Sequence, residues 1–214
     1  MKKYLTGILS TIMVLCMLTG NAFAFTATEI DTEQAFDQET LRQEYVSDWA
    51  KDPVDQAISL GFVPEQLQRN YGTSITRAEF CTLAVWFYET VTGAAVEGRS
   101  PFQDTEDVNV EKAAYLGIVS GVGNGRFLPD AELNREQAAK LLSSLAGVLG
   151  DELPRTGAAF EDLGEISDWA REAVGQVRAA GIMGGVGEGR FAPQLEYTRE
   201  QSIATIMRLY ERIK

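Results

Sequence analysis

From about residue 45 onward, apolar positions recur with the period of a helix, and they do so in three similar stretches. In the last stretch Trp169, Ala173, Val177 and Ala180 follow at spacings of four, four and three, one face of a helix. That helix is expected to start at Ser167-Asp168-Trp169-Ala170, to run to about Ala180, and to end at Gly181 as a left-handed C-terminal glycine ends it. A glycine-rich loop follows, Gly187-Glu188-Gly189-Arg190-Phe191-Ala192-Pro193. A second helix is expected from Tyr197-Thr198-Arg199-Glu200, with Ile203, Ile206, Met207 and Tyr210 on one side.

The middle stretch repeats this order. Phe102-Gln103-Asp104 corresponds to Phe160-Glu161-Asp162, Gly117-Ile118-Val119-Ser120-Gly121 to the first helix end, and Gly123-Asn124-Gly125-Arg126-Phe127-Leu128-Pro129 to the loop. Phe102 to Gly117 spans 15 positions, whereas Phe160 to Gly181 spans 21, so the first helix has lost about six residues, the tryptophan position among them. In the first stretch Ser47-Asp48-Trp49-Ala50 matches Ser167-Asp168-Trp169-Ala170, and Gly61-Phe62-Val63 matches the helix end, but Pro64 to Asn70 replaces the glycine loop. Self-similarity at this period signals a repeat protein. The expected fold is mainly all-α: three helix–loop–helix units at 45–95, 100–150 and 158–214, in which no unit buries its apolar face alone and the three second helices form a central bundle. The glycines allow a short strand or tight turn in the loop, with its Phe folded back onto the helices.

Each second helix opens on one motif: Thr76-Arg77-Ala78-Glu79, Asn134-Arg135-Glu136-Gln137 and Thr198-Arg199-Glu200-Gln201, with the arginines 58 and then 64 residues apart. Thr76, Asn134 and Thr198, each followed three residues later by Glu79, Gln137 or Gln201, read as capping boxes. A cation in the first turn works against the helix dipole, so three of them imply a purpose. Two remain open on physics alone: a bidentate site for a small anion at the helix N-terminus, or a salt bridge to a neighbouring unit. For Trp49 and Trp169, core packing is the first expectation and stacking on a sugar the second. The loops look like half a dinucleotide fingerprint, but no strand precedes them.

Composition narrows the function. The chain has no histidine, which removes the usual general base and most zinc sites. No catalytic residue, metal site or cofactor is expected. Lys2 and Lys3, the apolar run from Leu5 to Leu18, and Ala22-Phe23-Ala24 read as an export signal over 1–24, cleaved after Ala24. The apolar run is shorter than the roughly 20 residues of a spanning helix, and no transmembrane segment is expected after cleavage. Cys16 lacks the small preceding residue of a lipid-modified cysteine. Cleavage removes two lysines and no acids, leaving 17 basic against 31 acidic residues, a charge of −14. That argues against nucleic acid as a partner. Residues 25–44 read as an acidic leader, and Cys81 as a buried structural thiol.

The motifs in this order resemble the S-layer homology domain in three tandem copies over about residues 45–214. They are Phe-x-Asp at 102–104 and 160–162, Asp-Trp-Ala at 48–50 and 168–170, Gly-Ile-Val/Met-x-Gly at 117–121 and 181–185, the glycine loops and the Thr-Arg-Ala-Glu motif. The resemblance implies a pseudo-threefold helical domain that holds exported proteins on the bacterial envelope, cell wall or S-layer of a Gram-positive type. It does so by binding secondary cell-wall polysaccharide, often through pyruvate ketals. It gives Arg77, Arg135 and Arg199 the role of reaching the pyruvyl carboxylate from grooves between repeats. It gives Trp49, Trp169, Gly123, Gly125, Gly187 and Gly189 the lining of those grooves. Only the third repeat is complete, so the three grooves are not expected to bind equally. The alternative is an envelope or S-layer assembly protein acting through protein contacts without a glycan. On either reading a small surface protein or adaptor is expected, whose partner docks on acidic surface.

Overall fold

The computed structural model describes residues 45–214. The expected export signal, the leader and Cys16 lie outside the described residues. Six α-helices follow in order: α1 Lys51–Ser59, α2 Arg77–Thr92, α3 Val108–Tyr115, α4 Arg135–Val148, α5 Arg171–Ala179 and α6 Arg199–Ile213. Short 3₁₀ turns at Glu65–Leu67 and Leu163–Glu165 complete the regular structure. The protein is all-α, and its β pairing among the described residues is confined to isolated bridges.

The first helices start later than the apolar rhythm suggests. Ser47 and Ser167 open a separate turn, in which the amides of Ala50 and Ala170 donate to the serine carbonyls at 2.9 Å. The second helices start where the capping motif does. In α2, α4 and α6 the Thr76, Asn134 and Thr198 side chains accept from the amide three residues on, and Glu79, Gln137 and Gln201 reach back to the cap amide. The first two helical amides of each are also satisfied, by carbonyls of the next unit. Arg77 and Ala78 donate to Ala131 and Pro129, Arg135 and Glu136 to Leu195 and Pro193, and Arg199 and Glu200 to Thr73 and Tyr71. Every donor left over at the starts of α2, α4 and α6 therefore has a partner.

These contacts run around a closed ring. Just before the caps, Ile75 donates to Tyr197, Tyr197 to Leu133, and Leu133 back to Ile75, at 2.9–3.0 Å. All three side chains are fully buried. The helices follow the same cycle: α2 packs chiefly on α3, α4 on α5, and α6 on α1, while α2 and α4 also touch α6 at the centre. Each lobe is thus the second helix of one unit and the first helix of the next. One apolar cluster runs through all three lobes, with Phe80, Leu83, Phe87, Leu142, Leu145, Ile203 and Ile206 at its centre. Each such side chain removed from water contributes roughly 1.5–3 kcal/mol. Cys81 is buried here, and burial raises its thiol pKa, which keeps it in the unreactive thiol form.

The glycine loops are tight turns. Asn124-Gly125 and Glu188-Gly189 have φ of 51°, 68°, 49° and 69°, and Arg126 and Arg190 donate back to Gly123 and Gly187. Positive φ at both central positions defines the mirror-image turn that favours Asn-Gly.

Candidate functional site

The Phe-x-Asp motif locks each turn to its own unit. The Asp162 carboxylate accepts from the amides of Phe191 and Ala192 at 2.8 and 2.7 Å, and Asp104 from those of Phe127 and Leu128 at 2.8 and 2.9 Å. The rings of Phe160 and Phe102 rest on Phe191 and Phe127, with centroids 5.2 and 5.1 Å apart. Gly185 leaves room for this fold: a Cβ there would lie 2.6 Å from the Arg190 carbonyl.

The locked Phe is a platform for the arginine of the preceding unit. Arg135 lies over the Phe191 ring at 4.8 Å, donates Nε to the Phe191 carbonyl at 2.8 Å and Nη2 to Gly184 at 2.7 Å. Arg77 repeats this on Phe127, donating to the Phe127 and Ser120 carbonyls at 2.9 and 3.0 Å. Both arginines meet neutral carbonyls, and among the described residues neither forms the salt bridge to a neighbouring unit. Burial pulls both guanidinium pKa values down, with Tyr197 and Asp162 opposing it at Arg135 and Cys81 and Asp104 at Arg77. Arg135 is only 6% exposed, and its Nη1 has no partner among the described residues. A buried cation held only by dipoles calls for an anion.

Arg199 differs. Its neighbour is the first unit, which has no Gly-Arg-Phe loop and hence no Phe carbonyl in that place. Nε is buried without a partner among the described residues, Nη1 donates to the Arg69 carbonyl, and Nη2 pairs with Glu79 Oε1 at 2.7 Å. Here the salt bridge to a neighbouring unit is what forms.

Around Arg135 lies a groove of about 490 Å³ lined by Trp49, Met183, Gly184, Gly185, Gln201 and Arg208, among others. Trp49 and Trp169 are 52% and 54% exposed, which corrects the expectation of core packing. The groove is composite: the arginine comes from the second unit, the loop from the third, the tryptophan from the first. Completeness within one repeat is therefore a misleading guide, and the groove at Arg199 joins unit three to the degenerate loop of unit one. The four loop glycines, Gly123, Gly125, Gly187 and Gly189, shape the turns and are exposed, whereas Gly184 and Gly185 line the groove. The Arg199 side has its own polar groove of about 460 Å³, with Gln66, Arg69, Asn70, Glu79 and Asp107.

Two acids missing from the sequence reading place the tryptophans. Glu200 accepts from the Ser47 amide and hydroxyl, both at 2.9 Å, and Glu136 from those of Ser167, both at 2.8 Å. The signal was present in the chain: the second unit lacks the Ser-Asp-Trp segment, and the matching residue of the first unit is Ala78.

The profile of the S-layer homology domain matches residues 109–139 and 159–201, the parts of units two and three that carry the loops and capping motifs. These two segments are S-layer homology domain sequence. The first unit joins their ring through Ile75, which donates to Tyr197 and accepts from Leu133. The chain is 32% identical over 144 residues to an endoglucanase of a Bacillus species, covering 64% of this chain and 15% of that protein. It is 27% identical over 201 residues to an amylopullulanase of Thermoanaerobacterium thermosulfurigenes, 91% of this chain and 11% of that protein. With cell surface glycoprotein 1 of Acetivibrio thermocellus it shares 28% over 152 residues, 65% of this chain and 6% of that one. The chain thus spans between 6% and 15% of the length of these relatives. S-layer homology domains anchor proteins to the cell surface by binding cell-wall components, and the chain is associated with the cell surface or S-layer. No helix among the described residues is long and apolar enough to cross a membrane.

Proposed function

We propose that the chain, exported by its signal at 1–24, attaches non-covalently to the envelope by binding secondary cell-wall polysaccharide whose carboxylates, as on pyruvylated sugars, are taken by groove arginines. The observation that carries this reading is Arg135: a buried guanidinium with Nη1 unpaired among the described residues, opening into a groove beside the exposed Trp49 ring. Arg208 adds a second cation, and its Nη1 is tied to the Ile182 carbonyl at 3.1 Å. The arrangement suits a sugar ring stacked on indole with its carboxylate on the guanidinium. Arg77, on its own Phe platform, is the second candidate contact. Arg199 is the weakest, because Glu79 already neutralises it. An assembly protein without a glycan site leaves the Arg135 charge unexplained. Catalysis has no part in this reading.

Binding of the purified chain to isolated cell walls tests it. Arg135→Ala and Trp49→Ala should each weaken retention at least tenfold, and stripping the wall of its polysaccharide should abolish it. Unchanged retention of Arg135→Ala would sink the carboxylate-clamp reading. Persistent surface attachment without wall polymer would favour assembly through protein contacts.

A further inference from the structure

The third residue of the capping box differs between units, Glu79 against Gln137 and Gln201, although all three perform the same capping. The difference lies in what remains after capping. In Glu79, Oε2 accepts from the Thr76 amide at 3.1 Å, and Oε1 is left over to take Nη2 of Arg199 at 2.7 Å. In Gln201, Oε1 accepts from the Thr198 amide at 3.2 Å, and in Gln137 from the Asn134 amide at 3.1 Å. An amide has only one oxygen, and the cap holds it, so no second, charged acceptor is left over. The remaining NH2 group is a donor and offers an arginine nothing.

These residues stand at equivalent places around the ring. Glu79 lines the groove of Arg199, the arginine of the preceding unit in the cycle, and Gln201 lines the groove of Arg135. Arg199 has a carboxylate partner, whereas among the described residues Arg135 has only carbonyls. We propose that this one position sets which groove accepts an anionic ligand. Glu closes a groove by supplying the carboxylate from within the chain, and Gln opens it, its own NH2 group adding a second donor beside the guanidinium. Gln201 is accordingly a ligand-contacting residue, and the Arg199 groove is self-occupied. The proposal rests on the glycan reading above and adds to it a rule for specificity that the chain writes into its own caps.

The reciprocal exchange tests the rule without endangering the fold, because each variant installs a residue that already caps a sister helix. The probe is the 4,6-pyruvate ketal of methyl glucoside, with methyl glucoside as control, titrated into the chain lacking residues 1–24 while arginine Nε–H signals are followed by NMR. In the wild type the Arg135 signal should shift and that of Arg199 should not. Glu79→Gln should make Arg199 respond. Gln201→Glu should weaken the Arg135 response at least tenfold. A circular-dichroism melt of each variant confirms that the cap is kept. A response at Arg199 in the wild type, or an Arg135 affinity untouched by Gln201→Glu, overturns the rule while leaving glycan binding intact. No response at any arginine in the wild type overturns both the rule and the glycan reading beneath it.

Discussion

Asp162 shows how much one side chain organises here. Burial pushes its pKa up, but the Phe191 and Ala192 amides, with Arg190, outweigh that and hold it below the ordinary carboxylate value. Asp104 is also lowered, first by the Phe127 amide, with burial opposing and the Leu128 amide adding to it. A carboxylate whose pKa is lower folded than unfolded contributes stability that is present above the unfolded value, about 4. That contribution is lost as pH falls through the folded value. The chain should therefore lose stability below about pH 4. Asp162→Asn, which keeps one acceptor of two, should cost roughly 1–3 kcal/mol at neutral pH and flatten the acid limb. Urea melts at pH 7 and pH 3 measure both effects, and an acid limb as steep as that of the wild type would remove Asp162 from the account. The recurrence of Phe-x-Asp was legible in the sequence, but its role was not. Its partners are main-chain amides about 30 residues away, and an amide has no sequence signature.

Among elements, the capping boxes were the most legible features, because a cap needs particular side chains at a fixed local spacing. The Glu136 and Glu200 clasps were hidden for the opposite reason: they join segments 31 and 153 residues apart. Glu136 is buried and also accepts from Gln194 Nε2 at 2.9 Å. Glu136→Ala should release the turn that carries Trp169 and cost about 1–3 kcal/mol, since it strands the Ser167 amide and hydroxyl. Faster hydrogen exchange at the Ser167 amide, with α4 still protected, is the expected sign. Protection equal to that of the wild type would mean the turn is held by something else. At Ala78 no serine faces the helix start, so Ala78→Glu should destabilise instead of clasping. The platform makes a parallel case: Phe191→Ala removes a fully buried ring and should cost about 3–5 kcal/mol in a denaturant melt, loosening Arg135 with it.

At the scale of the molecule the unit of sequence and the unit of structure are out of phase. The repeat is read as one helix–loop–helix, whereas each lobe is a second helix with the following first helix, and the last lobe closes the ring between α6 and α1. The period was visible in the chain, yet the offset was not, because hydrophobic patterning says which face is buried but not which neighbour covers it. A consequence follows for the third unit, the most complete in sequence. Its α5 is covered by α4, its α6 by α1, and the Arg199 and Glu200 amides use the Thr73 and Tyr71 carbonyls. Taken alone, residues 158–214 expose both apolar faces and leave those amides to water. The excised segment should therefore be largely unstructured by circular dichroism at 25 °C, whereas residues 45–214 should unfold in one cooperative transition, because removing any lobe breaks the Ile75–Tyr197–Leu133 cycle. If the excised segment melts cooperatively with native-like helicity, the second helix and the first helix of the same unit suffice for each other. The shared-lobe architecture would then be an outcome of linking three stable units, not the condition of their folding.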